Sequence, residues 1–157
     1  MTSTPQNQPI FAAATEVELA TFYVADLLLG IPIREVEEIS RCCAVTPVPG
    51  APQSVCGVMS LRGEVVTVLD LRMVLGLGKT EHGKRARNVI VRTAGERIGL
   101  LVDRMADVVR ASTADLLPPP ANLSGAEGAM FHAVHRMESE LLVLLDVAAV
   151  TAPPTAA

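Results

Sequence analysis

The sequence predicts a mainly β protein: two related five-stranded barrels that share an apolar core, with a few short helices. Three observations carry this. The apolar residues fall in short runs rich in Val, Leu and Ile, turn residues separate those runs, and two stretches of the first half recur in the same order in the second. The chain has 157 residues, 50% of them apolar and 19% charged, which excludes a disordered protein and suits one domain or two small subdomains. A folded chain of this length buries about two-thirds of its unfolded surface, enough for a core without staples. Thirteen basic against seventeen acidic side chains give a net charge of −4, which argues against a dedicated nucleic-acid binder. Aromatic residues make up only 3% of the chain, so there are few rings on which bases would stack.

The elements follow in order. Residues 1–17 are polar and small and read as a disordered tail. LATFYV (19–24) and LLLGIPI (27–33) flank Ala25-Asp26 and read as a hairpin. A short helix is expected over Ile33–Ile39 and another over Ala51–Val58, just after Pro52. VVTVLDL (65–71) is a strand entered through the turn Arg62-Gly63-Glu64. Leu71–Leu75 is the best helix, with Asp70 as N-cap and Gly76 as stop. NVIVRT (88–93) and ERIGLLVD (96–103) flank Ala94-Gly95 as a second hairpin. MADVVRAS (105–112), AMFHAVHRM (129–137) and ELLVLLD (140–146) complete nine or ten strands, and residues 151–157 form a second tail. The folded domain is expected over 18–150, in halves of about 18–84 and 85–150 with edge strands open to exchange between them.

The repeat is specific. GIPIREVEEI (30–39) aligns with GLLVDRMADV (99–108), and EVVTVLDLRMV (64–74) with ELLVLLDVAAV (140–150), at offsets of 69 and 76 residues. A unit of this size is marginal alone, so the two are expected to share an apolar seam.

Catalytic patterns fail on inspection. Gly76-Leu77-Gly78-Lys79-Thr80 ends like a phosphate loop, but it follows a helix and has Met73 where the pattern needs glycine. His132 and His135 lie three apart in a segment read as strand, where they would face opposite ways and hold no metal. His82 and the basic cluster Lys84, Arg85 and Arg87 read as a solvated loop. Cys42, Cys43 and Cys56 form no disulfide framework and read as reduced thiols. The start of the chain lacks the pattern of a signal peptide, no apolar run is long enough to span a membrane, and the Asn122-Leu123-Ser124 sequon reads as accidental. The expectation is a cytoplasmic protein with no catalytic residue, no metal and no cofactor. Stiff proline-dense loops at TPVPGAP (46–52) and LPPP (117–120) point instead to an interaction module, or serve to stop strands from pairing at barrel edges.

Five segments resemble the CheW-type chemotaxis coupling proteins: GIPIREVEEI (30–39), TPVPGAPQSVCGVMSLRGEVVTVLDLRMVLGL (46–77), RIGLLVDRMADV (97–108), LLPPP (116–120) and ELLVLLDV (140–147). Leu-Arg-Gly followed by an apolar strand and Asp-Leu is the most specific of these. Thr67 and Ser60 depart from it, where the family commonly has Pro and Asn. The resemblance implies two SH3-like barrels and a non-catalytic adaptor that joins chemoreceptors to the histidine kinase CheA in receptor arrays on the inner face of the membrane. It implies that a receptor's helical hairpin tip seats in a groove between the barrels and that the kinase regulatory domain binds at barrel ends. By motif position it places partner contacts at Val36, Glu38, Gly57, Arg62 and Val108, with Val48 and Leu101 as further candidates for the kinase contact. Glu38 is the expected partner of Arg62, and Val36 and Val108 are expected to flank one groove symmetrically. Competing readings are an adaptor of a pilus-motility or other non-flagellar chemosensory pathway, a small-molecule-binding or cysteine-using barrel, and a nucleic-acid-binding barrel, the last disfavoured by charge.

Overall fold

The computed structural model describes residues 15–41, 45–79, 83–120 and 130–152. Eleven strands occur among them: β1 (Glu16–Val24), β2 (Leu27–Pro32), β3 (Val36–Arg41), β4 (Val55–Leu61), β5 (Glu64–Asp70), β6 (Arg87–Thr93), β7 (Glu96–Val102), β8 (Arg104–Met105), β9 (Val109–Ser112), β10 (Phe131–Arg136) and β11 (Leu141–Leu145). Two short helices, α1 (Leu71–Val74) and α2 (Val147–Thr151), follow β5 and β11. Alternation of branched apolar residues sets the strands, and tight turns join them. In the β4–β5 hairpin Arg62 and Gly63 both take positive φ, 52° and 82°, the geometry that matches the twist of the flanking strands.

The strands form two sheets. One has the order β10-β11-β2-β1-β8, with β9 also on β1; the other has the order β3-β6-β7-β5-β4. These are two SH3-like units, open paths of strands among the described residues. The repeat maps one sheet onto the other. Gly30 on β2 pairs with Thr21 and Leu144, and Gly99 on β7 pairs with Ile90 and Val68, the same positions displaced by the two offsets. Asp70 and Asp146 both cap the helices that follow them, Asp70 accepting from the Arg72 N–H two residues on and Asp146 from the Ala149 N–H three residues on.

Three apolar clusters follow. Leu19, Leu28, Leu142 and Leu144 fill the interior of the first unit, and Met59, Val66, Val68, Ile90 and Leu101 fill the second. Between them lies a larger shared seam that includes Phe22, Leu29, Ile31, Leu71, Val91, Val143 and Val147. Each large side chain fully buried here contributes about 1.5–3 kcal/mol of transfer free energy. Arg72 on α1 donates to Asp103 from two nitrogens, at 3.1 and 2.7 Å, and Asp103 also accepts from the Ala25 N–H, so one carboxylate ties α1 to the β1–β2 turn across the seam.

Several expectations are corrected. Residues 33–39 do not form a helix: a single 3-10 turn over Ile33–Glu35 leads into β3, because pairing with β6 outweighs the local pattern. Residues 51–58 are a turn followed by β4. β1 begins at Glu16, inside the expected tail, because residues 16–19 pair with β9. Thr151 closes α2, so the expected second tail also starts too early. MADVVRAS is two strands, β8 and β9. A division at residues 84 and 85 matches neither sheet. The chain enters the first sheet with β1–β2, builds the whole second sheet with β3–β7, and returns to the first with β8–β11. Each unit is therefore assembled from both repeats. Cys42, Cys43, His82 and Asn122–Ser124 lie outside the described residues.

Candidate functional site

β3 carries a bulge between Val36 and Glu38, and β4 carries one between Val55 and Gly57. Each bulge shifts the face that later residues present. Two transverse rows of the second sheet result. Val36, Val91, Ile98, Thr67 and Val58 pair in sequence across β3, β6, β7, β5 and β4. Glu38, Ile90, Gly99, Val68 and Gly57 form the next row. Val91 belongs to the seam, whereas Ile90 and Val68 belong to the barrel interior, so Val36 lies on the seam face and Glu38 and Gly57 on the interior face.

Glu38 meets Arg62 at 3.4 Å; the arginine side chain is 73% exposed and the glutamate 23%. Because β3 and β4 are the two ends of the strand order, this contact spans the sheet's opening and curls it toward closure. Its direct worth is below about 1 kcal/mol, so its effect is on shape. Beside it Glu37, the bulged residue, accepts from Arg92 and Arg97, and Arg97 also reaches Glu64 at 2.9 Å. The Arg92 guanidinium first, and then that of Arg97, hold the Glu37 carboxyl below its ordinary range.

Gly57 presents no side chain to a partner. Its φ is 146°, and a Cβ there would lie 2.1 Å from the Thr46 carbonyl oxygen. Thr46 and Val58 exchange backbone hydrogen bonds of 2.8 and 2.9 Å, so Gly57 lets the proline-dense segment lie along β4 and protect its edge. Leu117 does the same for Val134 on β10, at the repeat-equivalent place. Val48, carried by the first segment, is exposed. Leu101 is only 1% exposed within the barrel core, so the structure removes it as a contact residue. Val108 is 55% exposed in the β8–β9 connection, but it is not the counterpart of Val36. That counterpart is Met105, which pairs with Phe22 as Val36 pairs with Val91.

The seam opens on one side. In the first sheet Phe22, Leu29, Val143 and Val134 of the matching row are all buried, whereas in the second only Val91 is, and Ile98, Thr67 and Val58 emerge. The uncovered part is a groove of about 340 Å³ with Val55, Leu69 and Ile98 along the sheet and Met73, Met130 and Val150 among its other lining residues. Thr67 and Glu96 add polar groups to that lining. Val65, 74% exposed, lies on the same face of β5 as Thr67 and Leu69. Sequence reasoning missed Val65, Met73, Ile98 and Met130. The alternation in EVVTVLD (64–70) separates Val65, Thr67 and Leu69 from the inward Val66 and Val68, so that one signal was present.

A family model described as the CheW-like domain matches residues 18–153. The chain belongs to that family. Among its relatives, protein FrzA of Myxococcus xanthus is 39% identical over 108 residues, covering 69% of this chain and 68% of that protein. Chemotaxis protein CheW of Treponema pallidum is 31% identical over 143 residues, covering 88% of this chain and 84% of that one. The crystal structure of scaffolding protein TtCheW from Thermoanaerobacter tengcongensis aligns with a TM-score of 0.78 and 24% identity over 93% of this chain and 91% of that one, which shows the shared fold. The chain is thus a CheW-family scaffold and adaptor of chemotaxis signalling.

Among the described residues no three His, Cys, Asp or Glu side chains are grouped to hold a metal, and no helix is long and apolar enough to cross a membrane. His132 is exposed at a bulge of β10, and His135 is half-buried. A second cavity, of about 270 Å³, is lined by Glu35, Arg34, Arg92, His132 and Asp146. Burial pushes the Glu35 carboxyl up; Arg34 opposes this, Asp146 adds to it, and His132 opposes it.

Proposed function

We propose that this protein joins the helical hairpin tip of a chemoreceptor to the regulatory domain of the histidine kinase CheA, without catalysis, at arrays beneath the membrane. The observation that supports it is the groove at the seam. An apolar lining with Thr67 and Glu96 beside it suits an amphipathic helix, whose apolar stripe would lie along Val55, Leu69 and Ile98. Val36 continues the seam face two strands away. Glu38 and Arg62 at the β4–β5 turn, and the exposed Val48 on the proline segment beside β4, offer contacts apart from the groove that suit a β-rich kinase domain; Val108 is an exposed apolar residue of the first unit. An adaptor of this kind shifts a kinase equilibrium only through contacts that differ between the on and off states.

Co-sedimentation with a receptor cytoplasmic fragment, with and without the kinase regulatory domain, tests this. Binding to both is expected, and binding to neither overturns the proposal. A second reading, an adaptor of a pilus-motility or other non-flagellar pathway, draws on the identity to protein FrzA. Binding to receptors of that pathway in preference to flagellar ones would favour it.

A further inference from the structure

The groove has two methionines, and they are not equivalent to the others among the described residues. Met73 lies on α1 and Met130 immediately precedes β10; both line the groove and both are half-buried. Met59 is 4% exposed inside the second barrel. Met105 packs against the seam from the edge strand β8, and Met137 packs beside the core of the first unit; neither lines the groove. Thioethers are apolar and flexible, so Met73 and Met130 adapt to a helix laid between them. They are also the groove's oxidisable groups, and a sulfoxide is polar.

We propose that Met73 and Met130 make partner docking sensitive to peroxide. This rests on the groove being the receptor site. A sulfur lone pair attacks one oxygen of hydrogen peroxide, the O–O bond breaks and an S–O bond forms. The proton on the oxygen now bound to sulfur passes to the departing hydroxide, which leaves as water. Sulfur is oxidised by two electrons, and the peroxide is reduced by the same two. The S=O group then sits on a surface whose other lining includes Val55, Leu69, Ile98 and Val150. A docked apolar helix stripe offers that oxygen no hydrogen-bond donor, so each sulfoxide weakens docking by about tenfold. A methionine sulfoxide reductase returns the thioether and restores it.

The experiment uses the full chain and a receptor cytoplasmic fragment. Binding is measured before peroxide, after it, and after reductase treatment, with oxidised positions mapped by peptide mass spectrometry. The expected result is oxidation at Met73 and Met130, loss of binding, recovery with reductase, and no peroxide-dependent change in Met73→Leu/Met130→Leu when compared with that variant's own untreated binding. Receptor bound beforehand should also protect both methionines while Met137 oxidises at its usual rate, a footprint that does not depend on the variant folding. The inference is overturned if both residues are sulfoxides and binding is unchanged, if peroxide lowers the double variant's binding by the same factor as the wild type's, or if bound receptor gives no protection. Failure of the untreated protein to bind receptor is a separate result, and it removes the receptor reading together with this inference.

Discussion

Val36 and Glu38 stand on opposite faces of β3 although they are two residues apart, because the bulge at Glu37 intervenes. An unbroken strand would place them side by side. Substitutions at the two positions should therefore separate. Val36→Ser is expected to weaken receptor binding about three- to tenfold and to leave the kinase domain bound, as one lost apolar contact would. Glu38→Arg should weaken kinase binding with receptor binding kept. Two titrations on each variant check this.

The Glu38–Arg62 contact is largely exposed on the arginine side, so its loss should barely move stability. Arg62→Glu is expected to change the denaturation midpoint by no more than about 1 kcal/mol equivalent. It should nonetheless disturb kinase binding, and the exchanged pair Arg62→Glu/Glu38→Arg should recover part of that loss. A double-mutant cycle read by both denaturation and binding measures the coupling.

Gly57→Ala should be far more costly. The new Cβ meets the Thr46 carbonyl oxygen, and the backbone angle favours glycine. A loss of about 2–4 kcal/mol is expected in urea unfolding, since the clash is with backbone and the strained angle adds to it. Ala substitution at Gly63, which has open space around its Cβ, should cost less.

The barrel framework, its repeat, the two hairpins at Ala25-Asp26 and Ala94-Gly95, the turn at Arg62-Gly63 and the Asp70 cap were legible because each is written locally, in alternation and turn chemistry. What escaped was non-local. The Ile33–Ile39 stretch reads as a helix until β6 is known to lie beside it. The bulges at Glu37 and Cys56 decide which face a residue serves, and nothing in the local pattern announces them. Leu101 has the sequence character of any strand leucine and became core through the barrel's curvature. Met130 joined the groove from a segment more than fifty positions beyond Met73.

Proton binding should act on Glu35 and Glu37 in opposite senses. The folded state raises the Glu35 carboxyl, so its stabilising share is fully present below the unfolded value of about 4.3 and is lost as pH rises through the higher folded value. The folded state lowers Glu37, whose share is present above the unfolded value and is lost as pH falls through the lower folded one. Glu35→Gln should remove the first slope and Glu37→Gln the second. Urea midpoints collected across the acid range distinguish them.

The chain's path through its two sheets has a mechanical outcome. Because the first sheet is completed only after the chain has built the second, and the two share one apolar seam, the lobes are expected to melt together. Calorimetry should record a single endotherm. A push delivered at one lobe is then expected to reach the other through the side chains packed between them.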